Sequence, residues 1–225
     1  MITLKEIRHG ILDITHLEIP PGTTSLIGPN GSGKTTLLKL LTGISLPESG
    51  AVNIDGSLPR QVEVGWVNEF PDRNILFGTV DDEIASTLRF RHIPCGETSR
   101  QIGAALERVG IPHLKDRPVR ELSGGEKVLV ALATALVHNP HVLALDEYDS
   151  HLDSLKARDM DRIIRESGIP YVIRCTQQAE TALQSEHVIF LDQGRVQYNG
   201  KPGEVFGQLA GTPFFPLSLE CRPCM

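Results

Sequence analysis

Gly28-Pro29-Asn30-Gly31-Ser32-Gly33-Lys34-Thr35-Thr36 is the stretch on which the reading of the whole chain depends. It fits G-x-x-x-x-G-K-[ST], the pattern of a phosphate-binding loop. Thr24-Ser25-Leu26-Ile27 before it reads as a buried strand, and Leu37-Leu38-Lys39-Leu40-Leu41 after it as a helix packed on a sheet. A nucleoside triphosphate carries clustered negative charge, so its site needs bare backbone N–H groups and a cation. Gly28, Gly31 and Gly33 permit the backbone angles that turn N–H groups inward. The following helix aims its positive end at the same point. Lys34 is placed to reach the β and γ oxygens, and the Thr35 hydroxyl to ligate Mg²⁺. Strand, loop and helix in this order imply binding of ATP or GTP.

At 225 residues the chain can bury a sizeable core and is most economically one domain with room for a subdomain. Its 40% apolar and 22% charged residues are those of a soluble globular protein. A net charge of −6 argues against a nucleic-acid partner. The longest apolar run, Val128 to Val137, is interrupted by Thr134 and falls short of a membrane span. Lys5, Glu6 and Arg8 interrupt any signal-peptide core, so at a membrane a partner would do the spanning. Cys95 and Cys175 are isolated, and Cys221 and Cys224 form a lone C-x-x-C, half a zinc site at best. That usage fits a reduced, cytosolic protein.

Ile2, Leu4, Ile14, Leu17 and Ile19 alternate as in a short antiparallel pair. Pro20-Pro21-Gly22 turns the chain into the strand before the phosphate loop, and Pro47-Glu48-Ser49-Gly50 turns it into a second hairpin at Ala51–Ile54, followed by Asp55-Gly56. A strand is expected through Val62, Val64, Trp66 and Val67, then an irregular stretch over 68–80. Thr79 can cap a helix opening on Val80-Asp81-Asp82-Glu83. Ile102, Leu106 and Val109 keep helical spacing up to Gly110 and Pro112, and a third helix opens near Ser123-Gly124-Gly125-Glu126. Strands return at 142–145, 171–173 and 188–191, with a helix near 180–184 and a short strand at 195–198. The fold class expected is α/β: a phosphate-loop NTPase core with a mostly parallel sheet flanked by helices, N-terminal antiparallel strands and an inserted helical subdomain. As one domain over 1–225, its core covers about 1–78 and 140–209, the insert about 79–139 and the tail 210–225.

Val142 to Leu145 followed by Asp146-Glu147 is a buried strand ending in acids. A carboxylate there can hold Mg²⁺ opposite Lys34 and Thr35, and Glu147 can orient or deprotonate an attacking water. Leu122-Ser123-Gly124-Gly125-Glu126 opens a long helix with a serine and two glycines, a second ready-made anion site. An ordinary cap needs less glycine. Taken with the phosphate loop and Asp146-Glu147, this segment resembles the ATP-binding-cassette (ABC) family over nearly the whole chain. Pro71-Asp72, Thr79-Val80-Asp81-Asp82-Glu83-Ile84 and Val109-Gly110-Ile111 look most like the ATPase subunits of cobalt-type or energy-coupling-factor importers.

The resemblance implies that Gly28 to Thr36 bind the chain's own ATP, while Ser123, Gly124, Gly125 and Glu126 close over the nucleotide of a second ABC ATPase subunit, identical or not. Ser150-His151-Leu152-Asp153 matches the family's D-loop at that dimer interface. The helical insert and the loop around 69–78 would receive integral membrane transporter subunits, placing the chain in the cytoplasm on the inner face of the membrane. Mg²⁺ would be held by Thr35, Asp146 and Glu69. Nucleotide-driven closure of the dimer would energise import.

Several positions depart from the family's pattern. Glu69 stands where a glutamine is usual, with Asn68 the candidate if the alignment slips by one. Two like charges about 4 Å apart repel by roughly 4 kcal/mol before a metal offsets them. Gln177 stands where a histidine is usual; its amide can hydrogen-bond the γ-phosphate but carries no charge there. Tyr148 replaces a proline and is expected to alter only loop stiffness. No N-terminal aromatic is evident for stacking on adenine, although His9 lies near that position. ATP binding with slow or altered hydrolysis is therefore expected. The alternative is a weakly hydrolytic cassette that pairs with a more active ATPase. A soluble cassette acting on DNA or ribosomes fits less well, since there are no sustained heptads and the balance is acidic. The tail from Gly211 to Met225 is read as disordered by default, with a dimer contact or weak metal site as other readings.

Overall fold

A computed structural model describes residues 1–71, 75–148, 152 and 154–220. In chain order the strands are β1 (Ile2–His9), β2 (Leu12–Ile19), β3 (Gly22–Ile27), β4 (Ser49–Ile54), β5 (Val64–Val67), β6 (Val142–Asp146), β7 (Tyr171–Cys175), β8 (His187–Asp192) and β9 (Arg195–Gly200). The helices are α1 (Lys34–Leu41), α2 (Val80–Phe90), α3 (Cys95–Val109), α4 (Gly124–Leu136), α5 (Ser154–Glu166), α6 (Ala179–Leu183), α7 (Pro202–Gln208) and α8 (Leu217–Glu220). Residues divide into two compact units, Met1–Val62 with Pro170–Met225, and Glu63–Ile169.

The first unit holds two sheets. In one, β1 lies between β2 and β4, antiparallel to both. The apolar alternation slips from Leu4 to Ile7 because the β1–β4 register shifts between Lys5 and Arg8, where Glu6 has φ 52°. Gly50 makes that bulge possible, since a Cβ there would lie 2.3 Å from the Glu6 carbonyl oxygen. The hairpin expected at 51–54 is short, a single antiparallel bridge Ile54↔Ser57 across Asp55-Gly56, and β4 pairs mainly as a third strand of the first sheet, through Val52↔Leu4 and Ile54↔Ile2. Burial of Val52 and Ile54 against β1 decides that pairing, which local sequence cannot specify.

In the other sheet β7, β3 and β8 run parallel in that order, and β9 closes the edge antiparallel to β8. Burial is continuous from Thr24 to Ile27 in β3 and throughout β7 rather than alternating, and it takes in the polar residues Thr24, Ser25 and Arg174. Helix α1 packs Leu37, Leu38, Leu40 and Leu41 inward, all 0–1% exposed. The tail also departs from expectation. Phe214, Phe215 and Leu219 pack against a buried cluster of Ile27, Val188, Phe190, Val205 and Phe206. Phe214 meets Phe190 edge-on at 5.2 Å, and Ser218 donates to the Glu180 carboxylate. Residues 212–219 are ordered by that apolar contact. Cys221 and Cys224 lie outside the described residues.

In the second unit β5 and β6 are parallel, with α2, α3 and α4 packed on one another and α4 against β5. A Cβ on Gly65 would lie 2.5 Å from the Ala135 carbonyl oxygen, so α4 approaches β5 closely enough to require glycine. Thr79 caps α2 by accepting from the Asp82 N–H at 3.2 Å, as its sequence suggests. Gly110 ends α3 in the left-handed conformation. Helix α5, unassigned by sequence, buries Met160 and Ile164.

Candidate functional site

The phosphate loop joins β3 to α1 in the first unit. Gly28, Gly31 and Gly33 have φ of 143°, 77° and 103°, all outside the range that side chains favour. A Cβ on Gly28 would sit 2.0 Å from the Leu191 carbonyl oxygen, and one on Gly33 would sit 2.7 Å from Leu12 Cδ2. At Gly28 and Gly33 the loop is thus wedged against β8 and β2, with no room for a larger residue. Ser32 N–H donates to Pro29 O at 3.1 Å and Gly194 N–H to Ser32 O at 3.0 Å, which ties the loop to the β8–β9 turn.

Three observations fit this loop to a triphosphate. Gly33 is the N-cap of α1 and offers no side-chain cap, which leaves the first-turn N–H groups of Lys34 and Thr36 to an anion. Ser32 Oγ is buried with no hydrogen-bond partner among the described residues, and a phosphate oxygen in the loop would supply one. Lys34, 6% exposed, holds its ammonium over the loop, donating to Gly28 O at 3.0 Å and Pro29 O at 3.1 Å. Pro29 and Asn30 form the outer, more accessible turn. Gln177 lies on the same unit at the end of β7. Thr176 N–H donates to Leu26 O at 3.2 Å, two residues before Gly28, and Gln177 is exposed just beyond.

The acids belong to the second unit. Asp146 ends β6 and is 8% exposed. With Asn68, Glu69 and Phe70 it lines a cavity of about 180 Å³. The Asn68 amide oxygen accepts from the Trp66 indole N–H, so the carboxylate of Glu69 is the more available group of the pair. Glu147 follows with φ 47°, a left-handed backbone uncommon for a residue with a side chain. Such conformations concentrate at functional sites.

Ser123 caps α4 and shares a capping box with Glu126. Ser123 Oγ accepts from the Glu126 N–H at 3.3 Å, and Glu126 Oε2 accepts from the Ser123 N–H at 2.7 Å and hydroxyl at 2.8 Å. Those bonds, the backbone one foremost, hold the Glu126 carboxyl below its ordinary range. Ser123 and Gly124 are exposed, and a Cβ on Gly124 would meet nothing within 4 Å among the described residues. At Gly125 a Cβ would press to 3.2 Å on Lys156 Nζ. Ser150, His151 and Asp153 lie outside the described residues.

A family profile described as "ABC transporter" matches residues 12–150, a span from β2 through the phosphate loop and the capped helix to Asp146-Glu147. The chain belongs to the ABC transporter family. This ABC cassette is an ATPase subunit with the phosphate-loop α/β fold. The energy-coupling factor transporter ATP-binding protein EcfA1 of Lacticaseibacillus paracasei is 35% identical over 207 residues, 87% of this chain and 73% of that protein. Its namesake in Halalkalibacterium halodurans is 34% identical over 208 residues, 87% and 74% of the two chains. Among solved structures, cbiO1 from Clostridium perfringens, part of the ABC transporter complex cbiONQ, superposes with a TM-score of 0.83 at 29% identity, covering 92% of this cassette and 90% of that chain. No helix among the described residues is long and apolar enough to cross a membrane.

Sequence reasoning missed one feature beside the site. Tyr148 is 1% exposed, and its hydroxyl donates to Asp161 Oδ1 at 2.7 Å, so it is an anchored core residue rather than a loop stiffener. No local pattern announces a contact thirteen residues away.

Proposed function

We propose that this cassette is the ATP-hydrolysing subunit of an importer, a single nucleotide-binding domain with a helical insert at about 79–139. It works from the cytoplasm on the inner face of a membrane whose spanning subunits are separate chains. The observation that carries the reading is the phosphate loop, with its uncapped helix terminus, orphaned Ser32 hydroxyl and buried ammonium. Gly28 to Thr36 cradle the phosphates. Thr35, Asp146 and Glu69 would hold Mg²⁺, which when bound would offset phosphate charge and polarise the γ-phosphoryl group. Glu147 takes the proton of the attacking water, and Gln177 hydrogen-bonds the γ-phosphate.

Ser123, Gly124, Gly125 and Glu126 serve the nucleotide of a second cassette in a head-to-tail dimer. The exposure of Ser123 and Gly124 supports that role. A groove of about 570 Å³ in the second unit suits a short helix from a membrane subunit. Its walls include Trp66, Ile75, Leu76, Phe77 and Phe90, and Leu76 and Phe90 are 81% and 80% exposed. Glu83 holds that wall in place by accepting from Leu76 and Phe77 N–H groups at 3.0 Å.

Complementation tests the dimer. Lys34→Ala spoils a chain's own phosphate loop, and Ser123→Arg spoils what it offers its partner. Each variant alone should be inactive. In a mixed head-to-tail dimer one site receives the intact half of both chains, so mixing should restore turnover. A mixture as inactive as its components would contradict the arrangement.

Glu69 and Gln177 set the speed. Glu69 adds a negative charge beside the γ-phosphate, so Glu69→Gln should raise turnover by about tenfold. That corresponds to about 1.4 kcal/mol of the repulsion that survives the metal. Gln177→His should also raise it, by restoring a group able to carry charge. An unchanged rate of phosphate release in both variants would refute this account of slow hydrolysis.

A further inference from the structure

Glu147 and Tyr148 are adjacent in sequence, and their geometries are complementary. Glu147 has φ 47°, which a residue with a side chain keeps only where its surroundings impose it. Tyr148 is 1% exposed, and its hydroxyl reaches Asp161 Oδ1 at 2.7 Å. Asp161 is 8% exposed and lies on α5, which also buries Met160 and Ile164. If packing alone were required, a phenylalanine facing an apolar residue would fill the space without bringing a carboxylate into the interior. What the polar pair adds is direction: a hydroxyl that must point at one oxygen fixes the ring, and the ring fixes the peptide that follows Glu147.

We propose that Tyr148 and Asp161 are positioning residues for the hydrolytic reaction. Their hydrogen bond ties the end of β6 to α5 and keeps the Glu147 backbone in its left-handed conformation, with its carboxylate aimed. The inference rests on the reading of Glu147 as the base. Without the bond, the Glu147–Tyr148 segment relaxes toward ordinary backbone angles and the carboxylate moves off its line of attack. A misplacement of about 1 Å can cost up to about a hundredfold in rate.

The test compares Y148F, D161A, D161N and the control I164V in the full chain. Each is measured for kcat, KM for ATP, Tm, and amide hydrogen exchange at 147 and 148 without nucleotide. Y148F and D161A should each lower kcat by about tenfold, leave KM within about twofold and speed exchange at both amides by about tenfold. D161N keeps an acceptor oxygen and should retain most of kcat. The double variant Y148F/D161A should be no slower than either single one, because hydroxyl and acceptor form one interaction. I164V trims the same helix and should lose Tm while kcat and exchange at 147 stay at parental values. If Y148F matches the parent in kcat and in exchange at 147, the inference is overturned whatever happens to Tm. D161A carries the same readouts should Y148F fail to fold. If E147Q turns over at the parental rate, the reading of Glu147 as base fails separately. Exchange at 147 then still decides whether the pair holds the backbone.

Discussion

Replacing Lys34 by alanine is expected to weaken ATP binding by about a thousandfold. An ammonium about 4 Å from a phosphate charge contributes roughly 4 kcal/mol at the effective dielectric of a partly buried site. Each 1.4 kcal/mol is about tenfold in affinity. Lys34 meets the condition of partial burial, at 6% exposed, and it lies over the loop that would enclose the phosphates. The fold should survive, because α1 is held by Leu37, Leu38, Leu40 and Leu41 rather than by the lysine. Titration with a fluorescent ATP analogue reads the effect. Affinity within about threefold of the parent would mean that the loop's N–H groups alone hold the nucleotide.

Glu147→Gln is expected to separate binding from chemistry. The substitution keeps shape and removes the basic oxygen, so ATP affinity should stay within about threefold. General-base catalysis contributes about 10²–10⁴-fold, and turnover should fall by that factor. Glutamine can adopt the φ of 47° at the same strain as glutamate, so thermal stability should change little. A parallel loss of affinity and rate would instead place Glu147 among the groups that hold the phosphates.

The parts of this cassette legible in its sequence are those where local geometry dictates residue type. Gly28 is readable because no other residue tolerates the Leu191 carbonyl so close. Ser123 and Glu126 are readable because their capping box closes over four residues. Illegible features depend on distant partners. Strand β4 finds β1 across the phosphate loop and α1, and nothing in Ala51–Ile54 names that partner. Helix α5 is missed because Met160, Ile163 and Ile164 are few among Lys156, Arg158, Asp159, Arg162 and Arg165. The tail looks disordered from its prolines, yet Phe214, Phe215 and Leu219 find an apolar surface assembled from β8, α6 and α7. Tyr148 reads as a mere replacement until Asp161 is seen beneath it.

The most direct test of the account is phosphate release from ATP by the purified chain, with and without Mg²⁺, beside Glu147→Gln. The account predicts release that requires Mg²⁺ and falls by about a hundredfold or more in the variant, with ATP bound equally by both. Release from the parent no faster than from Glu147→Gln would contradict it, and would leave a cassette that binds ATP without hydrolysing it.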